Sequence, residues 1–259
     1  MQKCDMAVIT GSGFYDFPEL TDPRAVEITT PFGEVQAVCG SCDGKAVLFI
    51  ARHKKEHALL SNMINHKANI YACRQAQVDV IIATSIVGLT NPDLPLAKIL
   101  IFNDLFYPDN RLPDGSHCTF FTEENQIGRG HYLFGSPFFD VSGVLKGEDV
   151  ISDITYAYVN GPRFNSKKEI RFFANYADAV SQTAGPEAVL AGELEIPYVL
   201  LGYGVDYANG VKEEPTPIDV LTENMHRSKN AFAQAVRLLL AYKQYHFNGF
   251  VYRFDSPPE

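Results

Sequence analysis

Short apolar segments alternate with segments of helical periodicity along most of the chain, and this alternation predicts the order of its elements. The apolar segments predict strands at 6–10, 26–50 (a three-stranded meander), 80–83, 94–102, 154–159 and 197–205. Apolar residues at helical spacing predict helices at 60–77, from about Ser166, at 188–195 and at 217–245. Strands and helices that alternate in this way imply an α/β fold with a mainly parallel or mixed sheet.

The region 107–139 departs from this pattern, because it is irregular and rich in proline and glycine. A loop of this length in a compact domain is usually functional or mobile. It contains His117 and His131, although isolated loop histidines are more often structural than catalytic. The aromatic residues in and beside the loop suggest a surface that one chain does not cover; they are Phe106, Tyr107, Phe120, Phe121, Phe134, Phe138 and Phe139.

No linker, charge block, repeat or low-complexity tract interrupts the 259 residues, so we expect a single domain over 1–259. No apolar run reaches the roughly 18 residues that a membrane span needs. The first ten residues also lack the long apolar segment of a secretory signal. We therefore expect a cytoplasmic protein with no membrane partner.

The formal net charge of −9 argues against a nucleic-acid partner, because phosphate backbones select basic surfaces. A small anion could still bind in a local pocket of backbone N–H groups and one arginine. Cys39 and Cys42 form a lone Cys-x-x-Cys motif with no second pair at zinc-ribbon spacing. We therefore expect no metal site.

Three predicted strands end in groups that suit an anion. They are followed by Gly11-Ser12-Gly13, by Arg52-His53 and by Thr84-Ser85. Sites in α/β proteins form where the carboxyl ends of such strands meet. An arginine at a strand end can donate two hydrogen bonds to an anion, and a structural salt bridge is an equally good interpretation of Arg52 alone.

A second group of candidates lies in 160–187. A Gly-Pro turn leaves Arg163 and Phe164 at its tip, and the polar run 181–183 stands beside a second Gly-Pro turn, with Glu187 opening the next helix. An aromatic ring and small polar side chains at element ends could hold a flat ring and its polar substituents. Two ordinary surface turns are the alternative.

Asp206 ends the apolar strand 197–205. A carboxyl group there could accept a hydrogen bond from, or protonate, a ring nitrogen of a heterocycle. A helix N-cap or a salt bridge is the alternative role.

An ordered set of motifs in this chain resembles the purine nucleoside phosphorylase family, most of all its methylthioadenosine and methylthioinosine phosphorylase branch. The motifs are GSG, TPFGE, ARHKKEH, NHKANIYA, DGSHCTFF, NGPRF, ADAVSQTAGPE and GVDYA, and they span nearly the whole chain. The resemblance implies one α/β domain around a mixed, partly barrel-like sheet. It also implies a homo-oligomer, most often a trimer in members of this size.

Carried over by position, the resemblance implies a phosphate site and a nucleoside site. It gives phosphate contacts to Ser12, Arg52, His53, Ser85, Ile86 and Thr183. It assigns contacts with the purine base to Phe164, Asp206, Tyr207 and Ala208, and makes Asp206 the acid that contacts N7. It assigns the contact with the 5′ substituent to His131.

The chain departs from the family pattern at four places, most of them at positions assigned to the nucleoside site. Gln182 stands where the family has a methionine against the ribose, and Ala208 replaces a second aspartate of adenine-specific members. Asn160 replaces the residue usual before Gly-Pro-Arg, and Lys54-Lys55 follows the Arg-His pair. The phosphate set is largely intact, so the departures bear on the substrate more than on the reaction.

The function implied is phosphorolysis of a purine nucleoside, with inorganic phosphate as co-substrate and no cofactor. Asp206 favours an adenine nucleoside such as 5′-deoxy-5′-methylthioadenosine, because a carboxylate accepts hydrogen bonds from a 6-amino group. The alternatives are a nucleoside hydrolase, a 6-oxopurine nucleoside phosphorylase and a non-catalytic nucleoside-binding paralogue.

Overall fold

The apolar segments form a mixed β-sheet in the computed structural model, which describes residues 3–254. The strands of this range are Met6–Thr10 (β1), Thr21–Thr30 (β2), Gly33–Cys42 (β3), Lys45–Ala51 (β4), Ile81–Leu89 (β5), Ile99–Phe106 (β6), Gly130–Phe134 (β7), Val150–Tyr158 (β8), Ala179–Ser181 (β9), Tyr198–Tyr207 (β10) and Gly249–Arg253 (β11). Its α-helices are His66–Gln75 (α1), Lys167–Phe173 (α2), Ala184–Glu193 (α3) and Ile218–Ala241 (α4).

Part of the sheet closes on itself. The strand order is β10-β6-β8-β9-β5-β1-β4-β3-β2, and β10 pairs with β5 as well as with β6. The strands β10, β6, β8, β9 and β5 therefore form a ring, from which β1, β4, β3 and β2 extend as an open sheet. This confirms the α/β class and the mixed, partly barrel-like sheet. β7 and β11 pair with each other in a separate antiparallel ribbon.

Helices cover both faces of the central strands. Ala7 and Ile9 of β1 belong to an apolar cluster that includes residues of α1 and α3. Met6 and Val8 point to the opposite face, into a cluster that includes Phe232 of α4. Because both faces of β1 are buried, its sequence is a continuous apolar run rather than an alternating one.

Two helices begin at residues other than those predicted. The helical pattern at 60–77 becomes α1 only at His66, because Asn65 caps it by accepting a hydrogen bond from the Ala68 N–H at 3.0 Å. α3 begins at Ala184, so that Pro186, predicted to lie in a turn, is in its first turn. The missing N–H of a proline removes no hydrogen bond there, because the first N–H groups of a helix have no partner within it.

Several strands differ from the prediction: β8 begins at Val150 rather than at 154, and β7 lies in the region predicted to be irregular. β5 and β10 continue to Leu89 and Tyr207, because the two strands remain paired to those residues. β6 begins at Ile99 rather than at 94, after a segment that contains Pro95, which has no N–H to donate to a sheet. β11 follows the C-terminal helix and was not predicted.

The aromatic residues of the long loop are mostly covered by their own chain. Tyr107, Phe120 and Phe138 are buried, whereas Phe134 is 48% exposed, so the chain itself covers only part of the expected apolar surface. Among residues 3–254, none of the helices is both long enough and apolar enough to span a membrane.

Candidate active site

The carboxyl ends of β1 and β4 meet beside Thr84, in the middle of β5. Thr10 at the end of β1 is paired with Ala51 at the end of β4. The Arg52 N–H donates to the Thr10 carbonyl at 3.1 Å, and the Gly11 N–H donates to Thr84 Oγ1 at 3.4 Å. The glycine turn after β1, Arg52 after β4 and Thr84 within β5 are therefore close neighbours.

A buried ion pair lies beneath this edge. Arg52 Nε and Nη2 donate to the two carboxylate oxygens of Glu187 at 2.7 and 2.8 Å, and both side chains have zero exposure. The Tyr198 hydroxyl donates to the same carboxylate at 2.7 Å. Burial, the largest single influence, would raise the pKa of Glu187, but the charge and hydrogen bonds of Arg52 together with the neighbouring His66 hold that pKa well below its usual range. The pair is therefore fully charged at neutral pH.

The salt-bridge interpretation of Arg52 is the one that the geometry favours. Its Nη1 donates to the Thr84 carbonyl at 2.6 Å, and its Nη2 also lies 3.5 Å from the Ile9 carbonyl. A Cβ at Gly11 would lie 2.9 Å from Nη1, so the backbone of the glycine turn rests directly on the guanidinium. The buried Arg52 supports the turn that is predicted to bind phosphate, and a direct contact with phosphate stays a prediction.

His53 is buried and neutral. Burial lowers its pKa to about 4, and its Nδ1 lies 2.8 Å from the Leu59 carbonyl. A carbonyl only accepts, so Nδ1 carries the proton and Nε2 is an acceptor. Its ring stacks on His57 at a centroid distance of 4.2 Å, and His57 Nδ1 is 2.9 Å from the Tyr15 hydroxyl. His53 therefore adds an acceptor to the edge and no positive charge.

Two hydroxyl groups of the predicted phosphate set flank the edge. Ser12 is half-buried in the glycine turn, and Thr183 is buried at the N-cap of α3, where its side chain makes no capping bond. The N–H groups of Thr183 and Ala184 point toward the Tyr156 hydroxyl, at 3.5 and 3.2 Å. A helix N-terminus presents N–H groups and a positive dipole end, which favour an anion.

Ser85 is hydrogen-bonded to Ser181, a residue that was not among the predicted site residues. Ser85 Oγ lies 3.2 Å from Ser181 Oγ, which donates to the Ile86 carbonyl at 2.8 Å. Ser181 belongs to the same polar run as Thr183, so the sequence held a signal for it. These bonds join β5 to the segment that leads into α3.

Asp206 lies in a row across the sheet with Gly88 and Val180, each paired with the next. A Cβ at Gly88 would lie 3.5 Å from Asp206 Oδ1 and 3.4 Å from the Ala208 Cβ. The Asp206 carboxyl has no hydrogen-bond partner in the described part of the chain, and burial raises its pKa to about 6. Tyr207 points to the other face, where its hydroxyl donates to the Leu94 carbonyl at 2.8 Å. Asp206 and Ala208 are thus brought together, and Tyr207 is not.

Phe164 and Gln182 lie near each other, beyond the end of β9. Phe164 is 89% exposed at the tip of its loop. The Gln182 amide accepts from Ser61 Oγ at 2.7 Å and donates to the Arg163 carbonyl at 2.9 Å. Ser61 is a neighbour of the site that no sequence motif indicated.

His131 lies elsewhere. It is exposed on β7 and lines a cavity with Val189 and Glu193. Glu193 ends the ten-residue α3 that Thr183 caps, so His131 lies near the opposite end of a helix roughly 15 Å long. This chain does not bring its own His131 to the site.

No cluster of three or more His, Cys, Asp or Glu side chains suited to a metal ion occurs within 3–254. The arrangement instead offers hydroxyls, backbone N–H groups and one part-buried acid. Such groups can bind an oxyanion and deliver a proton to a neighbouring ligand.

Comparisons with known proteins agree with this geometry. The family model described as "Phosphorylase superfamily" matches residues 5–241. Over 248 residues the chain is 32% identical to the 6-oxopurine nucleoside phosphorylase of Pyrococcus furiosus, covering 91% of each chain. It is 29% identical to the S-methyl-5′-thioadenosine phosphorylase of Nitrosopumilus maritimus, covering 90% of each.

A solved structure shares the fold. A methylthioadenosine phosphorylase from an Antarctic soil metagenomic library superposes with a TM-score of 0.76 at 26% identity, and the match covers 95% of this chain and 90% of that one.

We predict that Arg52→Met lowers the free energy of unfolding by about 3–5 kcal/mol, because it leaves the buried Glu187 charge without its partner. Replacing both residues, Arg52→Met with Glu187→Leu, should recover part of that loss. The measurement is denaturant unfolding at one fixed protein concentration. Lys229→Met, which breaks the exposed ion pair with Asp16, is the control and should cost far less. Equal losses for Arg52→Met and Lys229→Met would contradict the structural role of the buried pair.

We also predict a pH-dependent effect at Asp206. Its pKa is raised from 3.8 to about 6 in the folded protein, so its contribution to stability is present below pH 4 and is lost as the pH rises through 6. The stability of Asp206→Asn relative to wild type should therefore increase between pH 4 and pH 7, by up to about 3 kcal/mol. Unfolding measured across this range tests it, with the exposed Asp22→Asn as control. Parallel pH curves for wild type and Asp206→Asn would refute the shift.

Proposed function

This chain belongs to the phosphorylase superfamily, and from that membership we propose that it cleaves purine nucleosides with inorganic phosphate, releasing the purine and a pentose 1-phosphate. The observation that carries the proposal is a chain of contacts: Arg52 packs against the glycine turn and bonds to Glu187 in the first turn of α3. The part-buried Asp206 is paired through Gly88 with Val180, in the segment that leads into the same helix. Relatives named for this reaction match the chain over most of its length.

On the phosphate side, the ligands are the N–H groups of Ser12 and Gly13 and the hydroxyls of Ser12 and Thr183. The neutral His53 can accept a hydrogen bond from a protonated phosphate oxygen. The N-glycosidic bond breaks through a sugar with oxocarbenium character, and a phosphate held on one face stabilises that positive charge. The C1–N9 bond breaks as the C1–O bond to phosphate forms.

On the base side, the departing purine gains electron density, which protonation at N7 relieves. Asp206 is the acid, and with a pKa of about 6 it keeps a protonated fraction near neutral pH. General-acid help of this kind contributes roughly 10²–10⁴-fold. Positioning and charge stabilisation supply the rest of the rate, so Asp206→Asn should retain some activity.

We propose an adenine nucleoside, such as 5′-deoxy-5′-methylthioadenosine, as the preferred substrate. While one oxygen of Asp206 donates its proton to N7, the other accepts a hydrogen bond from a 6-amino group; facing a 6-oxo group, that second oxygen would place two acceptors together, which costs roughly 1–3 kcal/mol. Ala208, in place of a second acid, weakens this preference without reversing it. A 6-oxopurine substrate is the competing proposal, which the name of the Pyrococcus furiosus relative favours.

We propose a homo-oligomer, most simply a trimer. Its support is a patch on one face of the β7–β11 ribbon, where each large apolar side chain is about half exposed: Leu133, Phe250, Tyr252 and Phe254. An apolar patch of this kind commonly marks a contact between proteins. The exposed His131 pairs with Tyr252 in the same ribbon.

We propose that inorganic phosphate is the sole co-substrate and that the reaction needs no cofactor, because every group in the scheme above is a side chain or a backbone N–H. We also propose a cytoplasmic location. Cys39, Cys42, Cys73 and Cys118 form no disulfide, which is typical of a reducing compartment.

The test is release of free purine from a nucleoside panel, with and without phosphate. We expect turnover to require phosphate and to be about 5–150-fold more efficient for adenine nucleosides than for inosine or methylthioinosine. Equal rates without phosphate would indicate a hydrolase, and no turnover of any nucleoside would indicate a binding protein. In Asp206→Asn the gap between adenine and 6-oxopurine substrates should narrow or invert. Wild-type protein that prefers inosine would refute our assignment of the base.

The oligomeric state is measured by light scattering. We expect about three times the chain mass of 28.8 kDa, and we expect Phe250→Asp to lower the mass by placing a charge in the apolar patch. Lys45→Asp, on β4 and outside the ribbon, is the control. A monomeric wild type would refute the oligomer, and an unchanged mass for Phe250→Asp would remove the patch from the interface.

A further inference from the structure

Residues 160–165 form a loop, here called the base loop, whose tip carries the exposed Phe164. Gln182 is bonded to this loop and to Ser61 at the same time. Its Nε2 donates to the Arg163 carbonyl at 2.9 Å, and its Oε1 accepts from Ser61 Oγ at 2.7 Å. Both ends of the amide are therefore used within the protein.

Gly161 packs against the side chains of Ser61 and Gln182. A Cβ at Gly161 would collide with both Gln182 Oε1 and Ser61 Oγ. The bare backbone of the base loop therefore rests on the Ser61–Gln182 hydrogen bond, and Ser61 is buried, at 7% exposure. Three segments that are distant in sequence meet at this one point.

A second attachment on the α3 side joins Asn160 Oδ1 to the Tyr158 hydroxyl, which donates at 2.9 Å. Two further attachments of the base loop lead away from the phosphate groups. Arg163 forms a two-point ion pair with Glu169 of α2, at 2.7 and 2.8 Å. Asn209 Nδ2 donates to the Asn165 carbonyl at 3.3 Å. Gln182, in contrast, immediately precedes Thr183, the N-cap of α3. Gln182 thus connects the base loop, which carries Phe164, to the segment that carries the Thr183 hydroxyl, a proposed phosphate ligand.

We propose that Gln182 and Ser61 form a clasp that positions the base loop, so that Phe164 stands at a fixed distance from the phosphate site. The role of Phe164 as a contact for the purine rests on the proposed function; the clasp itself does not. Gln182 is then a positioning residue and not the ligand of a sugar hydroxyl. A methionine at 182 could fill the same space but could not make either hydrogen bond.

The clasp can be tested on the free protein, because the chain contains no tryptophan. Phe164→Trp provides a single fluorescent reporter at the loop tip, and its anisotropy and its quenching by acrylamide report the freedom of the loop. Adding Gln182→Met should lower the anisotropy and increase quenching, and Ser61→Ala should do the same to a smaller extent. Gln36→Met, on the exposed face of β3, is the matched control and should change neither. Identical signals in all four proteins would overturn the clasp.

Kinetics with Phe164 intact separates positioning from sugar recognition. Gln182→Met should raise the nucleoside KM about 10-fold, the scale of losing one or two neutral hydrogen bonds. The phosphate KM should stay within about twofold, and ribo- and 2′-deoxyribonucleosides should be affected equally. A loss confined to ribonucleosides would make Gln182 a sugar ligand and overturn the proposal. If even the wild type turns over no nucleoside, the proposed function fails while the fluorescence result still decides the clasp.

Discussion

The buried ion pair between Arg52 and Glu187 is the interaction on which the site depends. Through it, the end of β4 is bonded to the first turn of α3, while the remaining donors of Arg52 reach the carbonyls of Thr84 in β5 and Ile9 in β1. A charge without access to water is tolerated only when its partners are complete. Any shift of one of these four elements would leave a charge or a carbonyl unpaired, so the pair fixes their relative positions.

The fold was largely predictable because its signals are local. Apolar runs and helical spacing are properties of neighbouring residues, and they located the strands and helices of the sheet. The polar strand ends were also predictable, because parallel strands bring their carboxyl ends to one edge. The extensions of β5 and β10 were not, since Ser85 and Asp206 look like strand ends until each has a paired neighbour.

The partners within the site were the least predictable part. Glu187 was interpreted as the opening of a helix, and nothing near it in sequence indicates that its partner is 135 positions away. Ser61 has no motif at all. The orientation of Tyr207, in contrast, was predictable. Side chains alternate between the two faces of a strand, so if Asp206 faces the site, Tyr207 must face away from it.

The charge balance beneath the sheet edge has a consequence for the choice of anion. Arg52 is neutralised by Glu187, and His53 is uncharged, so at the proposed site a phosphate ion would meet hydroxyl and N–H dipoles and the end of a helix. N–H and O–H groups held in fixed directions attract an anion mainly when its oxygen atoms lie along those directions. A cation without a partner attracts any anion. Selectivity among oxyanions in such a site follows their geometry and protonation state, and the overall negative charge of the protein becomes compatible with an anionic co-substrate.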